Sequence, residues 1–168
     1  MDGEFFLVRR MKGGEEAAME QFVRKYYDPI LSYCCHHTTV YGLAEDLTQE
    51  TFERFFRSLP TYRHTGKLAN YLYVIAGNLC RDAAKKKQEL PMEEIREDAE
   101  DPFECVNCRM NIQQALGQLP DELREVVILR YFQNLKQREI AGILGIGIPL
   151  VKYRMNQAKK KLRDALSE

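Results

Sequence analysis

The amino-acid sequence predicts an all-α protein in which two small helical domains are joined by an acidic flexible linker. Apolar residues recur at spacings of three and four through most of the 168 residues, which is typical of helices with one buried face. No segment of the sequence shows the alternation of apolar and polar residues that a half-buried strand requires. Residues 1–87 hold 13 basic and 11 acidic residues, residues 88–108 hold one and eight, and residues 109–168 hold eleven and six. The acidic middle segment is poor in apolar residues, so we expect a linker there and a helical domain on each side.

The composition excludes several classes of protein. Hydrophobic residues make up 45% and charged residues 30% of the chain, as in a soluble globular protein. The longest apolar run, residues 140–151, is interrupted by glycines and a proline and is far shorter than the ~20 residues of a membrane span. The N-terminus has acids ahead of its apolar residues, which does not fit a secretory signal. Five cysteines without a regular spacing fit reduced thiols, so we expect a cytoplasmic protein.

Caps and breakers predict the first helices. A short helix over residues 5–11 ends at a pair of glycines. A second helix, over residues 15–26, begins with acids in its first turn, where the helix dipole favours negative charge. Asp28 can cap a helix and Pro29 can occupy a first helical position, so this pair predicts a break and a new helix that fades by residue 38.

The next predicted helix, residues 43–59, has two different faces. Its apolar residues keep helical spacing and are expected to be buried: Leu43, Leu47, Phe52, Phe55, Phe56 and Leu59. The opposite side presents acidic and amide side chains: Glu45, Asp46, Gln49, Glu50 and Glu53. Such a face repels DNA phosphates and suits a basic protein surface, although acidic helix faces are also commonly just solvated.

Pro60 ends that helix, and a polar loop over residues 61–67 leads into a long helix predicted over residues 68–87. One stripe of this helix is apolar and is expected to be core: Leu68, Leu72, Ile75, Leu79 and Ala83. A second stripe interleaves aromatic, amide and cationic side chains: Tyr71, Val74, Asn78, Arg81 and Lys85. Exposed rings stack on unpaired bases while cations hold phosphates, so the second stripe fits single-stranded nucleic acid. A tyrosine on a helix is also commonly half-buried for structural reasons alone.

Residues 88–108 contain two prolines and no sustained apolar period, and they are therefore predicted to be the linker. Helical pattern resumes over residues 109–119. Pro120 then starts a further helix that runs to about residue 134. The buried side of this helix is predicted to contain Leu123, Val126, Val127, Leu129 and Tyr131.

Residues 135–162 are predicted to form two helices around a glycine turn. The first has an apolar face made of Ile140, Ala141 and Leu144. Gly145 follows where a left-handed residue ends a helix, and Pro149 occupies the first turn of the second helix. The buried stripe of the second helix is expected to be Val151, Met155, Ala158 and Leu162. Its other faces carry cations and side chains that can touch base edges: Leu150, Lys152, Tyr153, Arg154, Gln157, Lys159, Lys160 and Lys161. This pattern indicates a helix-turn-helix for duplex DNA, although a helical hairpin with a solvated lysine-rich end would carry the same basic residues.

Cysteine and histidine residues raise a metal site as an alternative. Residues 34–37 read Cys-Cys-His-His, but four adjacent side chains on a helix cannot all point at one tetrahedral ion. Cys105 and Cys108 form a pair without a second pair at matching spacing. No nucleophile with its base, phosphate-cradling glycine loop or paired-carboxylate site is present in the sequence. We therefore predict no metal, no cofactor and no enzymatic activity.

Seven motifs stand in a fixed order along the chain. They are DLTQETF at 46–52, LYVIAGN at 72–78, LP at 119–120, LRY at 129–131, EIA at 139–141, LG at 144–145 and VKYR at 151–154. In this order and spacing they resemble bacterial RNA polymerase sigma factors of the sigma-70 family, in the extracytoplasmic-function (ECF) group. The resemblance covers nearly the whole chain, and it is far more specific than one helix-turn-helix.

The resemblance implies a transcription initiation factor with two domains. Residues 1–87 correspond to sigma region 2, which binds core RNA polymerase and the minus-10 promoter element. Residues 109–168 correspond to sigma region 4, whose helix-turn-helix binds the minus-35 element. The acidic linker, residues 88–108, is expected to lie in polymerase channels otherwise used by RNA. Family members commonly also have an anti-sigma factor as a partner.

The resemblance also implies roles for individual residues. The acidic face is expected to bind the polymerase clamp, through Glu45, Asp46, Gln49, Glu50 and Glu53. Residues 61–70 are expected to hold a flipped base, and the minus-10 contacts implied are Lys67, Asn70, Tyr71, Asn78, Arg81 and Lys85. The minus-35 contacts implied are Gly147, Leu150, Lys152, Tyr153, Arg154, Gln157 and Lys161.

This chain departs from the family pattern at several positions. The family commonly has tryptophan where this chain has Tyr71, and often a basic residue where it has Gly77. The capping Ser or Thr of the first helix of the helix-turn-helix is replaced by Lys136. In the second helix, the usual Ser and Thr are replaced by Gly147 and Leu150. With fewer polar base-reading residues, minus-35 recognition is expected to rely more on phosphates and DNA shape.

A stand-alone helix-turn-helix regulator, binding duplex operators as a dimer, is the alternative function. It accounts for residues 120–163. It leaves the acidic helix and residues 61–87 without a role.

Overall fold

The computed structural model describes residues 3–89 and 106–166, except for the side chains of residues 87–89 and 106–111. Every regular element in these two ranges is helical, as the sequence predicts. The chain divides into two compact units, residues 1–99 and residues 100–168. No helix in the described ranges is both long and apolar enough to span a bilayer.

The described part of the N-terminal unit is helical from Gly3 onward. Its elements are α1 (Gly3–Lys12), α2 (Glu16–His37), α3 (Tyr41–Ser58), a 3₁₀ turn (Leu59–Thr61) and α4 (Leu68–Glu89). Helices α2, α3 and α4 pack against one another, and α1 packs on α2. At the centre, the fully buried rings of Phe22 and Phe55 stack with their centroids 4.5 Å apart. This aromatic centre fixes α2 against α3 and so positions the acidic face of α3 outward.

The predicted break at Asp28 and Pro29 is wrong, because α2 is continuous through both residues. Proline inside a helix removes one hydrogen bond and costs roughly 3 kcal/mol. However, the buried side chains of Tyr26, Ile30 and Cys34 follow one another at spacings of four on one face. Burying one such side chain contributes roughly 1.5–3 kcal/mol, so the stripe as a whole outweighs the proline. Tertiary packing overrides the local stop signal here.

The buried face of α4 is rotated slightly from the predicted stripe. Leu68, Leu72 and Leu79 are buried as predicted, but Ile75 and Ala83 are only partly buried. The buried face is completed by residues that the stripe omitted: Tyr73, Ala76 and Cys80. In α3, the predicted core residues Leu43 and Phe56 are likewise only partly buried.

The described part of the C-terminal unit is also helical. Its elements are α5 (Val106–Gln118), α6 (Asp121–Val127), α7 (Gln137–Leu144) and α8 (Ile148–Leu166). Its core includes Leu116, Leu119, Val127 and Ala158. Helix α4 runs two residues past its predicted end, and α5 begins three residues before its predicted start. The rest of the predicted linker, residues 90–105, lies outside the described residues.

A π-helical turn (Ile128–Phe132) follows α6 and changes the register of the chain. The Gln133 N–H donates to the Ile128 carbonyl, five residues back, at 3.1 Å. This wider turn rotates the following side chains, so the predicted core residue Tyr131 is 49% exposed. Ile128 is fully buried and Phe132 is partly buried in its place.

The helix-turn-helix is confirmed. Helix α7 ends at Gly145, which has φ 67° in the left-handed region, and its N–H donates to the Ala141 carbonyl. Pro149 lies in the first turn of α8. The predicted stripe of α8 is inward, with Val151, Met155 and Ala158 buried and Leu162 partly buried. At the start of α7, Lys136 caps through its backbone N–H, which donates to Glu139 Oε2 at 3.0 Å.

Candidate nucleic-acid and protein-binding surfaces

The acidic face predicted on α3 is present and open to solvent. Asp46, Gln49 and Glu53 are exposed, while Glu45 and Glu50 are partly exposed. The Arg54 guanidinium donates to Glu50 Oε1 at 3.0 Å, and this hydrogen bond lowers the pKa of the Glu50 carboxyl. The surface therefore carries negative charge at neutral pH, as docking against a basic protein surface requires.

The loop between α3 and α4 is held in place by α1. Glu4 Oε2 accepts a hydrogen bond from the Leu68 N–H, at the start of α4, at 3.1 Å. The same carboxylate accepts a hydrogen bond from the Tyr26 hydroxyl and lies 4.0 Å from His64 Nε2. Lys12 Nζ donates to the Tyr62 carbonyl. Glu4 and Lys12 thus anchor both ends of the predicted base-capturing loop.

Sequence reasoning missed the role of α1. Glu4 is 64 residues from Leu68 along the chain, and no local pattern connects the two residues. An acid in the first turn of α1 is an ordinary solvated helix residue by sequence criteria. The sequence carries no signal for the contact between Glu4 and Leu68, because this contact depends on how α1 packs on α2.

Tyr71 belongs to an aromatic cluster at the base of this loop. Its ring centroid lies 4.9 Å from that of Tyr62 and 5.9 Å from that of Phe55. Its hydroxyl donates to Ser58 Oγ at 3.1 Å. The Tyr71 ring is partly buried, so it is oriented by its neighbours instead of projecting alone. Beside it, the side-chain oxygen of Asn70 is buried and has no hydrogen-bond partner among the described residues.

The outer stripe of α4 continues from this cluster. Asn78, Arg81 and Lys85 are exposed, and an Arg81 guanidinium nitrogen donates to Asn78 Oδ1 at 2.6 Å. Lys67 is exposed immediately before the helix. Of the predicted minus-10 residues, the four cationic and amide residues Lys67, Asn78, Arg81 and Lys85 are therefore exposed, while Asn70 and Tyr71 are partly buried.

Gly77 packs closely against two neighbouring side chains. A Cβ at this position would lie 3.0 Å from the hydroxyl oxygen of Tyr33 and 3.4 Å from a guanidinium nitrogen of Arg81. Tyr33 is fully buried and packs against Tyr73. A residue with a Cβ at this position would therefore require the buried Tyr33 side chain to shift by a few tenths of an ångström.

Helix α8 presents most of its predicted DNA-binding residues to solvent. Lys152, Tyr153 and Lys161 are exposed and Gln157 is partly exposed, and Gly147 and Leu150 are exposed around the first turn. Arg154 differs from these residues. Its guanidinium lies 3.7 Å from the Glu122 carboxylate of α6, and its side chain is only 18% exposed. Arg154 is therefore turned toward the protein.

Two cysteines of the N-terminal unit, Cys34 and Cys80, lie close together in its core. The described residues contain no group of three or more histidine, cysteine or acidic side chains that could hold an ion. Cys34 and Cys80 are buried with their sulfurs 4.0 Å apart, and the hydrogen bond between the thiols lowers the pKa of Cys34. Cys105 and the side chain of Cys108 lie outside the described residues.

Comparison with known families gives two matches in sequence order. The model of sigma-70 region 2 matches residues 22–89, and the model of sigma-70 region 4 matches residues 109–162. Both regions therefore occur in this chain.

Individual relatives agree with the family models. The ECF RNA polymerase sigma factor SigE of Mycolicibacterium smegmatis is 33% identical over 92% of this chain, which spans 65% of that protein's length. The ECF RNA polymerase sigma factor SigW of Bacillus subtilis is 30% identical over 96% of this chain and 95% of its own.

Solved structures share the fold. CnrH, in complex with the cytosolic domain of CnrY, superposes with a TM-score of 0.79 at 21% identity, covering 99% of this chain and 98% of CnrH. The sigma factor RpoE of Bartonella quintana, in complex with the anti-sigma factor NepR, has a TM-score of 0.73 at 19% identity, covering 88% of this chain and 96% of RpoE. With both sigma regions matched in order and two relatives aligned over nearly the whole chain, this protein belongs to the ECF group of the sigma-70 family of RNA polymerase sigma factors.

Proposed function

We propose that this protein is an alternative sigma factor that directs core RNA polymerase to specific promoters and helps to open the minus-10 element. The observation that carries the proposal is the presence of both sigma regions, in order, in one chain of two compact units. Residues 1–87 are the region 2 domain, residues 88–108 the linker and residues 109–168 the region 4 domain. Acting as a subunit of polymerase, the protein performs no catalysis of its own and works in the cytoplasm.

The acidic face of α3 binds core polymerase. Its carboxylates at Glu45, Asp46 and Glu53 give it the negative charge that a basic docking surface recognises, while Glu50 is paired with Arg54. DNA contact by this face is disfavoured, since its carboxylates repel phosphates.

The loop before α4, with the outer stripe of that helix, binds the melted minus-10 strand. Extruding a base costs a few kcal/mol, which stacking and a shaped pocket must offset. Tyr71 and Tyr62 supply adjacent rings, and the buried Asn70 oxygen supplies an acceptor that has no partner among the described residues. Arg81 and Lys85 supply cations along the strand that follows.

Helix α8 binds the minus-35 element as duplex DNA. Its buried stripe faces the protein, and its exposed lysines face outward, as a helix in the major groove requires. Phosphate contacts from these lysines would position the helix on the duplex.

An anti-sigma factor is the further partner that we infer. The solved complex of the sigma factor RpoE with the anti-sigma factor NepR is a pair of this kind, and RpoE shares the fold of this chain. Such a partner would hold the protein away from polymerase until it is released.

Reconstitution with core polymerase tests the proposed function. We expect the full-length protein to bind core, to select a duplex promoter from a random library, and to melt it, as followed by 2-aminopurine fluorescence in the minus-10 region. A protein that binds duplex DNA but never core would instead be a stand-alone regulator.

Two charge reversals test the polymerase surface. Glu50→Lys should weaken binding to core about tenfold or more, because it places like charges against each other. Glu20→Lys, on the exposed surface of α2, is the matched control and should leave binding unchanged. Equal losses in the two variants would contradict the assignment of the α3 face.

Two substitutions at one position test the minus-10 surface. Tyr71→Ala should slow promoter melting about tenfold, in line with the loss of one base–aromatic contact, without weakening binding to core. Tyr71→Phe keeps the ring and removes only the bond to Ser58, so it should melt the promoter nearly as well as the wild type. Equal loss of core binding and melting in Tyr71→Ala would refute the assignment.

A further inference from the structure

The first turn of α8 presents an apolar surface to solvent. Gly147 has no side chain, Pro149 is exposed, and Ile148 and Leu150 are each 39% exposed. None of these four residues can donate or accept a hydrogen bond through its side chain. In a helix-turn-helix, the first residues of the second helix are the ones that meet base edges. The base edges that face this turn would therefore meet no polar side chain.

Arg154, the nearest guanidinium, does not compensate for this lack of polar groups. Its ion pair with Glu122 and its low exposure direct it toward α6. The other exposed cations on the helix are Lys152, Lys159, Lys160, Lys161 and Arg163. These cations supply charge for phosphates, so the exposed surface of α8 is complementary to a nucleic-acid backbone.

The major groove offers one apolar group among its base edges, the 5-methyl group of thymine. All other readable positions there are hydrogen-bond donors or acceptors. Covering such a polar group with a hydrocarbon side chain leaves it without a partner and is unfavourable. An exposed leucine at this place therefore favours thymine and disfavours the edges of guanine and cytosine.

We propose that Leu150 reads the 5-methyl group of a thymine in the minus-35 duplex, with Ile148 beside it, so that this promoter element is selected by methyl contact. The proposal rests on the proposed function of α8 as the duplex-binding helix. It assigns the reading of the base to Leu150, because residues 147–150 carry no polar side chain that could do so. Tyr153 lies three residues after Leu150 on the same exposed side and is 61% exposed, so it extends the contact surface along the groove.

Replacing thymine by deoxyuridine tests the proposal, because it removes only the methyl group. The holoenzyme, reconstituted from the full-length chain and core polymerase, selects duplexes from a random library. Each thymine of the selected minus-35 element is then replaced in turn by deoxyuridine. We expect at least one position at which deoxyuridine weakens binding about fourfold, as the loss of one buried methyl group predicts.

Variants of α8 assign that effect to Leu150. Leu150→Ala should bind the thymine and deoxyuridine duplexes equally at this position. Leu166→Ala, a matched control because Leu166 is 59% exposed at the far end of the same helix, should keep the fourfold discrimination.

Three outcomes would overturn the methyl contact. These are a selected element without thymine, a wild-type protein indifferent to deoxyuridine at every position, and a Leu150→Ala variant that still discriminates. In each of these cases the proposed function survives, because the holoenzyme has selected a duplex. A holoenzyme that selects no duplex would overturn both the methyl contact and the proposed function.

Discussion

Gly145 ends α7 with φ 67°, in the left-handed region that residues with a Cβ avoid. An added Cβ would meet nothing within 4 Å, so the effect of Gly145→Ala is conformational only. An L-residue in that region costs roughly 1–2 kcal/mol, and the reduced entropy of the unfolded alanine chain offsets about 0.4–1 kcal/mol of this. We expect Gly145→Ala to lower the free energy of unfolding of the C-terminal unit by about 1 kcal/mol.

Gly142 provides a matched control three residues earlier in the same helix. It is exposed, and an added Cβ would again meet nothing within 4 Å. Its backbone lies inside α7, where alanine is favoured over glycine by roughly 0.5–1 kcal/mol. The same substitution should therefore stabilise the protein at 142 and destabilise it at 145. The two variants should differ by about 1.5–2 kcal/mol, which is roughly 10–30-fold in the unfolding equilibrium.

Hydrogen exchange of the full-length protein measures this difference. Amides in α6 and α8 that exchange only when the C-terminal unit opens should exchange faster in Gly145→Ala and slower in Gly142→Ala. Gly145→Asn should lose less stability than Gly145→Ala, because asparagine tolerates the left-handed region. Stabilisation by Gly145→Ala would refute the left-handed turn, and with it the geometry assigned to the helix-turn-helix.

Three other substitutions follow from single contacts. Gly77→Ala should destabilise the N-terminal unit by about 1 kcal/mol, as measured by urea titration. The reason is that overpacking against the buried Tyr33 hydroxyl outweighs the better helix propensity of alanine. A more stable variant would contradict this packing. Burial raises the pKa of Tyr73 to about 12, so the folded state keeps a proton that the unfolded state loses near pH 10. The free energy of unfolding should keep its full value below pH 10 and fall between pH 10 and 12. The Tyr73→Phe variant should lose less of this free energy over the same range. The same pH dependence in the variant and the wild type would contradict the role of Tyr73. Glu122→Gln should free Arg154 to contact a phosphate and so strengthen duplex binding. The plot of log K against log salt concentration should then become steeper by about one unit. An equal slope in the variant and the wild type would refute this release of Arg154.

Local rules predicted the helix-turn-helix well because its signals are local. A glycine directly after Leu144, the last residue of α7, and a first-turn proline in α8 each fix the backbone where they occur. The motif order likewise indicated the family before any fold was considered, and both sigma regions are confirmed. The roles given to individual contact residues remain predictions.

The errors arose where packing decides the outcome. Pro29 is a strong local stop signal, yet the buried face that continues through α2 overrides it. The π turn inserts a register change that periodic spacing cannot anticipate, and so Tyr131 was wrongly expected to be buried. The position of Arg154 could not be predicted either, although its role in DNA binding remains a prediction. Its ion-pair partner, Glu122, lies on another helix, so helical periodicity could not indicate the contact.

Under the proposed function, the two DNA-binding surfaces differ in how they are prepared for their ligands. Glu4 and Lys12 hold the loop before α4 from outside it, and Tyr62 and Phe55 hold the ring of Tyr71. Ordering one backbone residue costs roughly 1–2 kcal/mol, so fixing the loop during folding removes that cost from capture of the strand.

Helix α8 is prepared in a different way. Its backbone is fixed by the buried stripe that includes Val151 and Met155, and residues 147–150 around its first turn carry no polar side chain. Selectivity there comes from the shape and hydrocarbon surface of Leu150. Promoter sequence at the minus-35 element should therefore depend on this single exposed leucine more than on the cations around it, which bind any duplex.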